Sequence, residues 1–276
     1  NTQIPELAGA RIQSYRPCTV DSQDKSWDHG TVIAQVISSP QFGVAPGANL
    51  RAYTLSFAGE TTGSDCALGQ WGRGYSDLAL LIEDALNDGV DVITTSSSYP
   101  SDYEGMRWAL ARAIASKVPV VACVGNDSTN NSTDWLPAWG GVVGVGAIET
   151  NGRPSDYQNW GRPLSTVALA RPLARSGVSQ ERGEWWGTSF ATPVVASSLA
   201  LSMQRWPRAT GNQIMQGLAR TGVGGNGGEW NQYTGYGALD IYAMLTTNPT
   251  SFPDENPFMD KGTNTVPSRQ DVQDYV

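Results

Sequence analysis

Ser189 stands in the segment Gly187-Thr188-Ser189-Phe190-Ala191-Thr192-Pro193, between a polar, tryptophan-bearing loop (181–186) and an apolar run from Val194 to Met203. A serine at the mouth of a helix sits where backbone N–H groups and the helix dipole favour negative charge. Gly187 lets a substrate backbone approach, having no Cβ to block it. Pro193 reads as a first-turn proline, whose missing N–H costs little. The chemistry on offer is attack on a carbonyl, with the oxyanion held at the helix start. A serine that only caps a core helix would have the same local sequence, so other segments must decide. His29, the one histidine, lies in Asp28-His29-Gly30-Thr31. Asn126 lies in Gly125-Asn126-Asp127, just past an apolar run from Val118 to Val124. An amide beyond the carboxyl end of a buried parallel strand is placed for ligand chemistry and can donate to an oxyanion. Alone, each is also an ordinary structural residue.

The elements that must position these groups follow from periodicity. Apolar residues at 33, 36 and 37 predict a short helix starting near His29. Leu50 to Leu55 reads as a strand, and 58–75 as a long surface loop. Ser76 caps a predicted helix to Asn87, stopped by Gly89. A strand from Val90 to Thr95, a helix over 102–117, and strands over 118–124 and 141–148 follow. The near-continuous apolar run at 118–124 suits a strand covered on both faces. This alternation predicts an α/β fold, doubly wound, with a mostly parallel central sheet and helices on both faces. Helices after Ser189, over 212–220 and over 238–245 complete a domain spanning 1–249. Residues 1–28 read mostly as loop. The polar tail, 250–276, reads as a C-terminal extension or linker.

Composition bounds the partners. Net charge is −8 and the pI is near 4.6, with no Lys/Arg cluster, which excludes nucleic acid and anionic membrane as natural partners. No apolar run is long enough to span a bilayer. Cys123 falls in the apolar run and reads as a buried thiol. A disulfide between the loop cysteines Cys18 and Cys66 would imply an oxidising compartment, but two loop cysteines do not establish it.

Taken together, His29, Asn126 and Ser189, in H-G-T, G-V-A-P (44–46 after Gly43), G-N and G-T-S-x-A-T-P in that order, resemble the subtilisin-like serine proteases. The spacings of 160 residues from His29 to Ser189 and 63 from Asn126 to Ser189 fit that family. The resemblance covers residues 1–246. It implies a serine endopeptidase with Ser189 as nucleophile and His29 as general base, then acid. Asn126 with the Ser189 N–H would form the oxyanion hole. It also implies that protein or peptide substrates pair with Ser96, Ser97 and Ser98, and that Gly125 and Asp127 border the first specificity pocket. Ser98 and Tyr99 replace glycines usual there; Asp127 would favour a basic side chain. The turn from Ile37 to Gly43 is short where many members bind calcium, so that site is expected to be absent. No metal or other cofactor is called for. The Cys18 loop resembles mycosin-like members, and the location expected is secreted or extracytoplasmic.

The third triad member is the departure. A carboxylate on the imidazole fixes its tautomer and stabilises the imidazolium. In the family this Asp ends an internal strand just before a segment matched here by Pro5-Glu6-Leu7, which places it upstream of Asn1. Asp28 adjoins His29 and cannot easily reach its ring; Asp21 and Asp24 are other candidates. Absence of that strand would open two edges inside the sheet. The expectation is a short upstream fragment, cleaved before Asn1 and still bound, that supplies the Asp. The alternatives are an inactive scaffold used for protein binding, or an unrelated partner that provides the carboxylate.

Overall fold

The computed structural model describes residues 1–15, 25–54, 77–97, 103–130, 135–224, 228–262 and 266–276. Strands and helices alternate, and the strands that are helix-covered run parallel. β3 (Ile93–Thr95), β4 (Val120–Cys123), β5 (Val143–Ile148) and β6 (Thr166–Leu169) form one parallel sheet in that order. β1 (Arg11–Tyr15) and β2 (Asn49–Tyr53) form a second parallel pair, with Arg11 opposite Asn49 and Tyr15 opposite Tyr53.

Alternation along β4 explains how one sheet serves two cores. Side chains on a strand point to opposite faces in turn. Val121 joins Val143, Val145 and Ala147 against α4 (Thr188–Arg205) and α5 (Gly211–Thr221). Val120 and Ala122 face the other way, onto α2 (Asp77–Asn87) and α3 (Tyr103–Ala115). Both faces are sealed, so the strand needs no polar residue. This is the doubly wound α/β arrangement that the apolar run predicts.

β2 and β3 each lie at the margin of their own sheet. Between them lies a cavity of about 970 Å³, bordered by both strands and by residues of α2 and α4. The sheet therefore comes in two parts, with two strand edges facing inward.

Several expectations need correction. The described residues among the first 28 are not mostly loop. They hold a 3-10 turn at Pro5–Leu7, then β1 and the beginning of α1 (Lys25–Ser38), which starts a turn before His29. β1 has mostly exposed side chains, so no apolar run marks it; its backbone pairing with β2 holds it. β6 and an antiparallel hairpin of β7 (Leu173–Arg175) and β8 (Arg182–Glu184) were not predicted. After α5 comes α6 (Ile241–Thr246). The described residues of the tail at 250–276 pack against the body. Phe258 is buried, and Asn256 donates from Nδ2 to the Gly141 carbonyl at 3.0 Å. Lys261 Nζ donates to the Pro163 carbonyl and to Ser165 Oγ, both at 3.1 Å. α7 (Arg269–Tyr275) lies on α3, where Asp271 pairs with Arg107. Scattered polar anchors of this kind leave no periodic pattern to read.

Candidate active site

The start of α4 meets the carboxyl ends of β3 and β4. Gly187 stands before the helix with φ +128°, a conformation that side chains with a Cβ rarely adopt. α4 begins at Thr188, so Pro193 lies in its second turn rather than its first. That has a consequence for Ser189. A residue at 193 would normally donate to the carbonyl at 189, and proline cannot. Ser96 Oγ takes the freed carbonyl instead, at 2.6 Å. In return the Ser189 hydroxyl donates to the Ser96 carbonyl at 3.3 Å. Its oxygen is 4.0 Å from Sγ of Cys123, a buried residue at the end of β4.

Asn126 is oriented without ambiguity. Its Oδ1 accepts from the Thr188 N–H at 2.9 Å and from Thr188 Oγ1 at 3.1 Å. A backbone N–H can only donate, so the oxygen must face Thr188 and the NH₂ must face away. Nδ2 is thereby turned to the space beside Gly187; a Cβ built there would lie 3.4 Å from it. The fully buried Thr188 hydroxyl also accepts from the Gly125 N–H at 3.2 Å. Gly125 itself has φ +97°, and a Cβ there would meet Asn159 at 2.5 Å. One threonine thus ties the glycine, the asparagine and the helix start together.

Sequence reasoning missed two positioning residues. Thr188 lies inside the G-T-S motif, where its hydroxyl was the available signal. Asn159 gave none. It is buried, accepts the Asp127 N–H at 2.9 Å, and donates from Nδ2 to the Val124 carbonyl and Asp127 Oδ2, both at 3.0 Å. The Asp127 carboxylate is therefore tethered to Asn159. Ser97 donates its N–H to Thr95 Oγ1 at 3.2 Å, closing a small turn after β3. Ser98 lies outside the described residues, as do Asp21, Asp24, Cys18 and Cys66.

His29 comes to the same turn of α4 from the first turns of α1. Its ring lies against Phe190, with centroids 5.3 Å apart. Burial pushes its pKa down to about 4, so the imidazole is neutral at pH 7. The neighbouring Asp28 carboxylate points elsewhere. It accepts from Ser176 Oγ at 2.8 and 2.9 Å, from the Val178 N–H at 3.2 Å, and from the Gly177 N–H. Asp28 thereby fixes the turn between β7 and β8. Glu6, 1% exposed, pins the same hairpin through Arg175 and Arg182, each at 2.7 Å. Arg175 first, then Arg182, holds its pKa down at about 2. The Asn1 amino group donates to Thr31 Oγ1 at 2.5 Å, two residues past His29. Among the described residues, no three His, Cys, Asp or Glu side chains gather as a metal site.

Five of the predicted site residues thus come together: Ser189, Asn126, Gly125 and Ser96 surround the start of α4, and His29 lies against Phe190 of the same helix. A sequence profile of the subtilase family matches residues 11–237. The chain is 28% identical over 252 residues to subtilisin DY of Bacillus licheniformis, covering 88% of this chain and 85% of that one. Its fold is similar to the self-cleaved protease domain of PatA, with TM-score 0.68, 22% identity, and 89% and 91% of the two chains covered. It is similar also to MycP1 with its N-terminal propeptide removed, with TM-score 0.69, 22% identity, and coverage of 90% and 93%.

Proposed function

The chain belongs to the subtilase family and is a serine endopeptidase of the subtilisin type; on that premise we propose that Ser189, His29 and Asn126 perform the reaction. The observation that carries this assignment is the Asn126 amide, locked oxygen-first onto Thr188. Its NH₂ is left to donate beside the serine.

In this reading the Ser189 hydroxyl swings from the Ser96 carbonyl to the imidazole of His29. His29 takes its proton as Oγ bonds to the substrate carbonyl carbon. The carbonyl oxygen becomes an oxyanion held by Asn126 Nδ2 and the Ser189 N–H. His29 then returns the proton to the leaving amine as the C–N bond breaks. Water repeats the sequence on the acyl-enzyme and restores Ser189. Ser96, Ser97, Ser98 and Gly125 would border an extended peptide. Asp127 would add negative charge near it, moderated by its tether to Asn159.

In this reading the imidazolium is stabilised by an aspartate on a segment upstream of Pro5-Glu6-Leu7, held as a short bound fragment. Three features support this. Asp28, the nearest carboxylate in sequence, is committed to the turn at 176–178. Asn1 is seated on Thr31, so a segment leading into it arrives beside His29. The sheet is parted between β2 and β3. Residues 1–249 act as the peptidase domain, and 250–276 as an extension laid on it. A mycosin-like role outside the cytoplasm fits the likeness to MycP1 in fold.

Intact mass measured under native and denaturing conditions, before and after a fluorophosphonate probe, tests the reading. One added probe at Ser189, with a short peptide released on denaturation, is the expected result. A single chain that stays unlabelled would instead favour an inactive scaffold.

A further inference from the structure

We infer that Ser96 is a positioning residue for the nucleophile: its hydroxyl stands in for the helical N–H that Pro193 removes, and so fixes the backbone that carries the Ser189 side chain. The inference rests on the peptidase reading, in which Ser96 otherwise only borders the substrate.

A residue in a helix has its carbonyl held by the N–H four positions on. For Ser189 that position is Pro193, inside α4, which has no N–H to give. A proline ring also crowds the carbonyl four residues back, which turns that carbonyl out of the ladder. The preceding carbonyl, of Thr188, is supported from within the helix, by Thr192 Oγ1 at 2.9 Å. The Ser189 carbonyl is instead held from outside, by Ser96 Oγ at 2.6 Å, across 93 residues of sequence. A serine hydroxyl has one proton to donate, so this bond commits it. The Ser96 hydroxyl therefore faces the nucleophile and is not left to donate to a substrate.

Ser189 thereby has an anchor on each side. Before it, the Thr188 N–H is held by Asn126 Oδ1 at 2.9 Å, from beyond the end of β4. After it, the carbonyl is held by Ser96, from the residue that follows β3. β3 and β4 are neighbours, with Thr95 opposite Ala122, so both anchors ride on one sheet. The dihedrals of Ser189 between these anchors set the direction of its Cα–Cβ bond, and with it where Oγ can reach. A reacting atom misplaced by about 1 Å can lose about 10²-fold in rate. The anchor also lies where a substrate would act on it. Ser96 and Ser97 open the segment that borders an extended peptide, and the Ser97 N–H is already fixed on Thr95 Oγ1 at 3.2 Å. A peptide backbone bonded there steadies residue 96 and, through its hydroxyl, Ser189. The hydroxyl of Ser96 then belongs to kcat rather than to KM.

The test is a mutant cycle in the full chain. It is read by the rate of fluorophosphonate labelling at Ser189, and by kcat and KM on a peptide p-nitroanilide with arginine before the scissile bond. Ser96→Ala should slow labelling and kcat about tenfold and leave KM within about twofold, the scale of one hydrogen bond used for positioning. Ser96→Thr, which keeps the hydroxyl, should recover most of that loss. Pro193→Ala supplies the missing N–H from within the helix. In that background Ser96→Ala should cost less than about threefold, because the carbonyl keeps a donor. Asn126→Ala, which acts on the other anchor, should cost the same with Pro193 as with alanine there. A rise in KM with kcat unchanged, or an equal loss from Ser96→Ala in both backgrounds, overturns the inference. Thermal melts confirm that each variant is folded; if Ser96→Ala is not, Ser96→Cys takes its place, since a thiol is a weak donor. A wild-type chain that takes up no probe sinks the peptidase reading and this inference with it. A labelled wild type that Ser96→Ala leaves unchanged sinks the inference alone.

Discussion

The two sides of the candidate site are held by different physics. On the nucleophile side the links are short, neutral hydrogen bonds among Thr188, Asn126, Gly125 and Ser96. They hang on a sheet whose central strands are buried on both faces. On the base side the links are ionic and span the chain: Glu6 to Arg175 and Arg182, and Asp28 to the turn at 176–178. The links on the nucleophile side involve no ionisable side chain, whereas the base side depends on carboxylates. Acid should therefore loosen one before the other. Glu6 has its pKa held down at about 2, below the ordinary 4.5. Its contribution is present above 4.5 and is lost as pH falls toward 2. His29, depressed to about 4 from 6.5, acts in the same direction at higher pH. The unfolded chain takes up that proton first, so stability declines as pH falls from 6.5 to 4.

The largest expected effect breaks the nucleophile side outright. Ser189→Ala should abolish fluorophosphonate labelling and lower turnover by about 10⁶, the scale known for loss of a subtilisin nucleophile. The thermal midpoint should barely move, because the lost hydroxyl bond to Ser96 is long. Labelling that persists would place the reactive serine elsewhere. Breaking the base side should do the reverse. Glu6→Gln leaves two guanidinium groups without their shared carboxylate, one of them in a partly buried setting. A loss of about 1–3 kcal/mol is expected in urea unfolding, the scale of charge-assisted hydrogen bonds whose guanidinium partners remain solvent-accessible. The acid sensitivity between pH 4.5 and 2 should shrink with it. An unchanged unfolding midpoint would mean that the hairpin is held by something other than Glu6.

Asn126→Ala should lower kcat by about 10²- to 10³-fold, a magnitude carried over from the corresponding donor of a subtilisin. Thr188→Val is the sharper probe. It keeps the shape of the side chain and removes the hydroxyl that accepts from Gly125 and donates to Asn126. The Thr188 N–H still holds Oδ1, so the amide should swivel rather than leave. A fall of about tenfold in kcat with little change in KM is expected, equivalent to one hydrogen bond of positioning energy. A pure rise in KM would show that Asn126 acts in substrate binding instead.

These contrasts also explain what the sequence made legible. The sheet and its covering helices were readable from the apolar run at 118–124 and the periodic helices, because burial on both faces leaves a dense local signal. Ser189, Asn126 and His29 were readable because glycines and strand ends mark them within a few residues. Asn159 was not, since its bonds to Asp127 and Val124 join segments more than 30 residues apart and its own surroundings are an ordinary polar loop. The displaced proline was misplaced by one turn, because a helix start is set by Gly187 and by the Asn126 bond rather than by Pro193. The tail was read as an extension or linker because its anchors, Asn256 and Phe258, follow no period. Contacts of long sequence separation are the part of a fold that local pattern does not encode.

The smallest effect tests whether the base side is a single unit. Asp28 meets Ser176, Gly177 and Val178, yet its neighbour in the chain is His29, so the turn and the imidazole share one anchor. Asp28→Asn keeps one acceptor oxygen for the two N–H groups and replaces the other with a donor. The charge-assisted part of those bonds is lost, at a cost of about 1 kcal/mol in stability. If the turn only closes the hairpin, the rate of Ser189 labelling should be unchanged at every pH. If the turn also steadies His29, labelling should slow a few-fold and its pH midpoint should shift, while Asn126→Ala leaves that midpoint where it was. Equal midpoints in the two variants would mean that the two sides of the site are independent, and that Asp28 serves the fold alone.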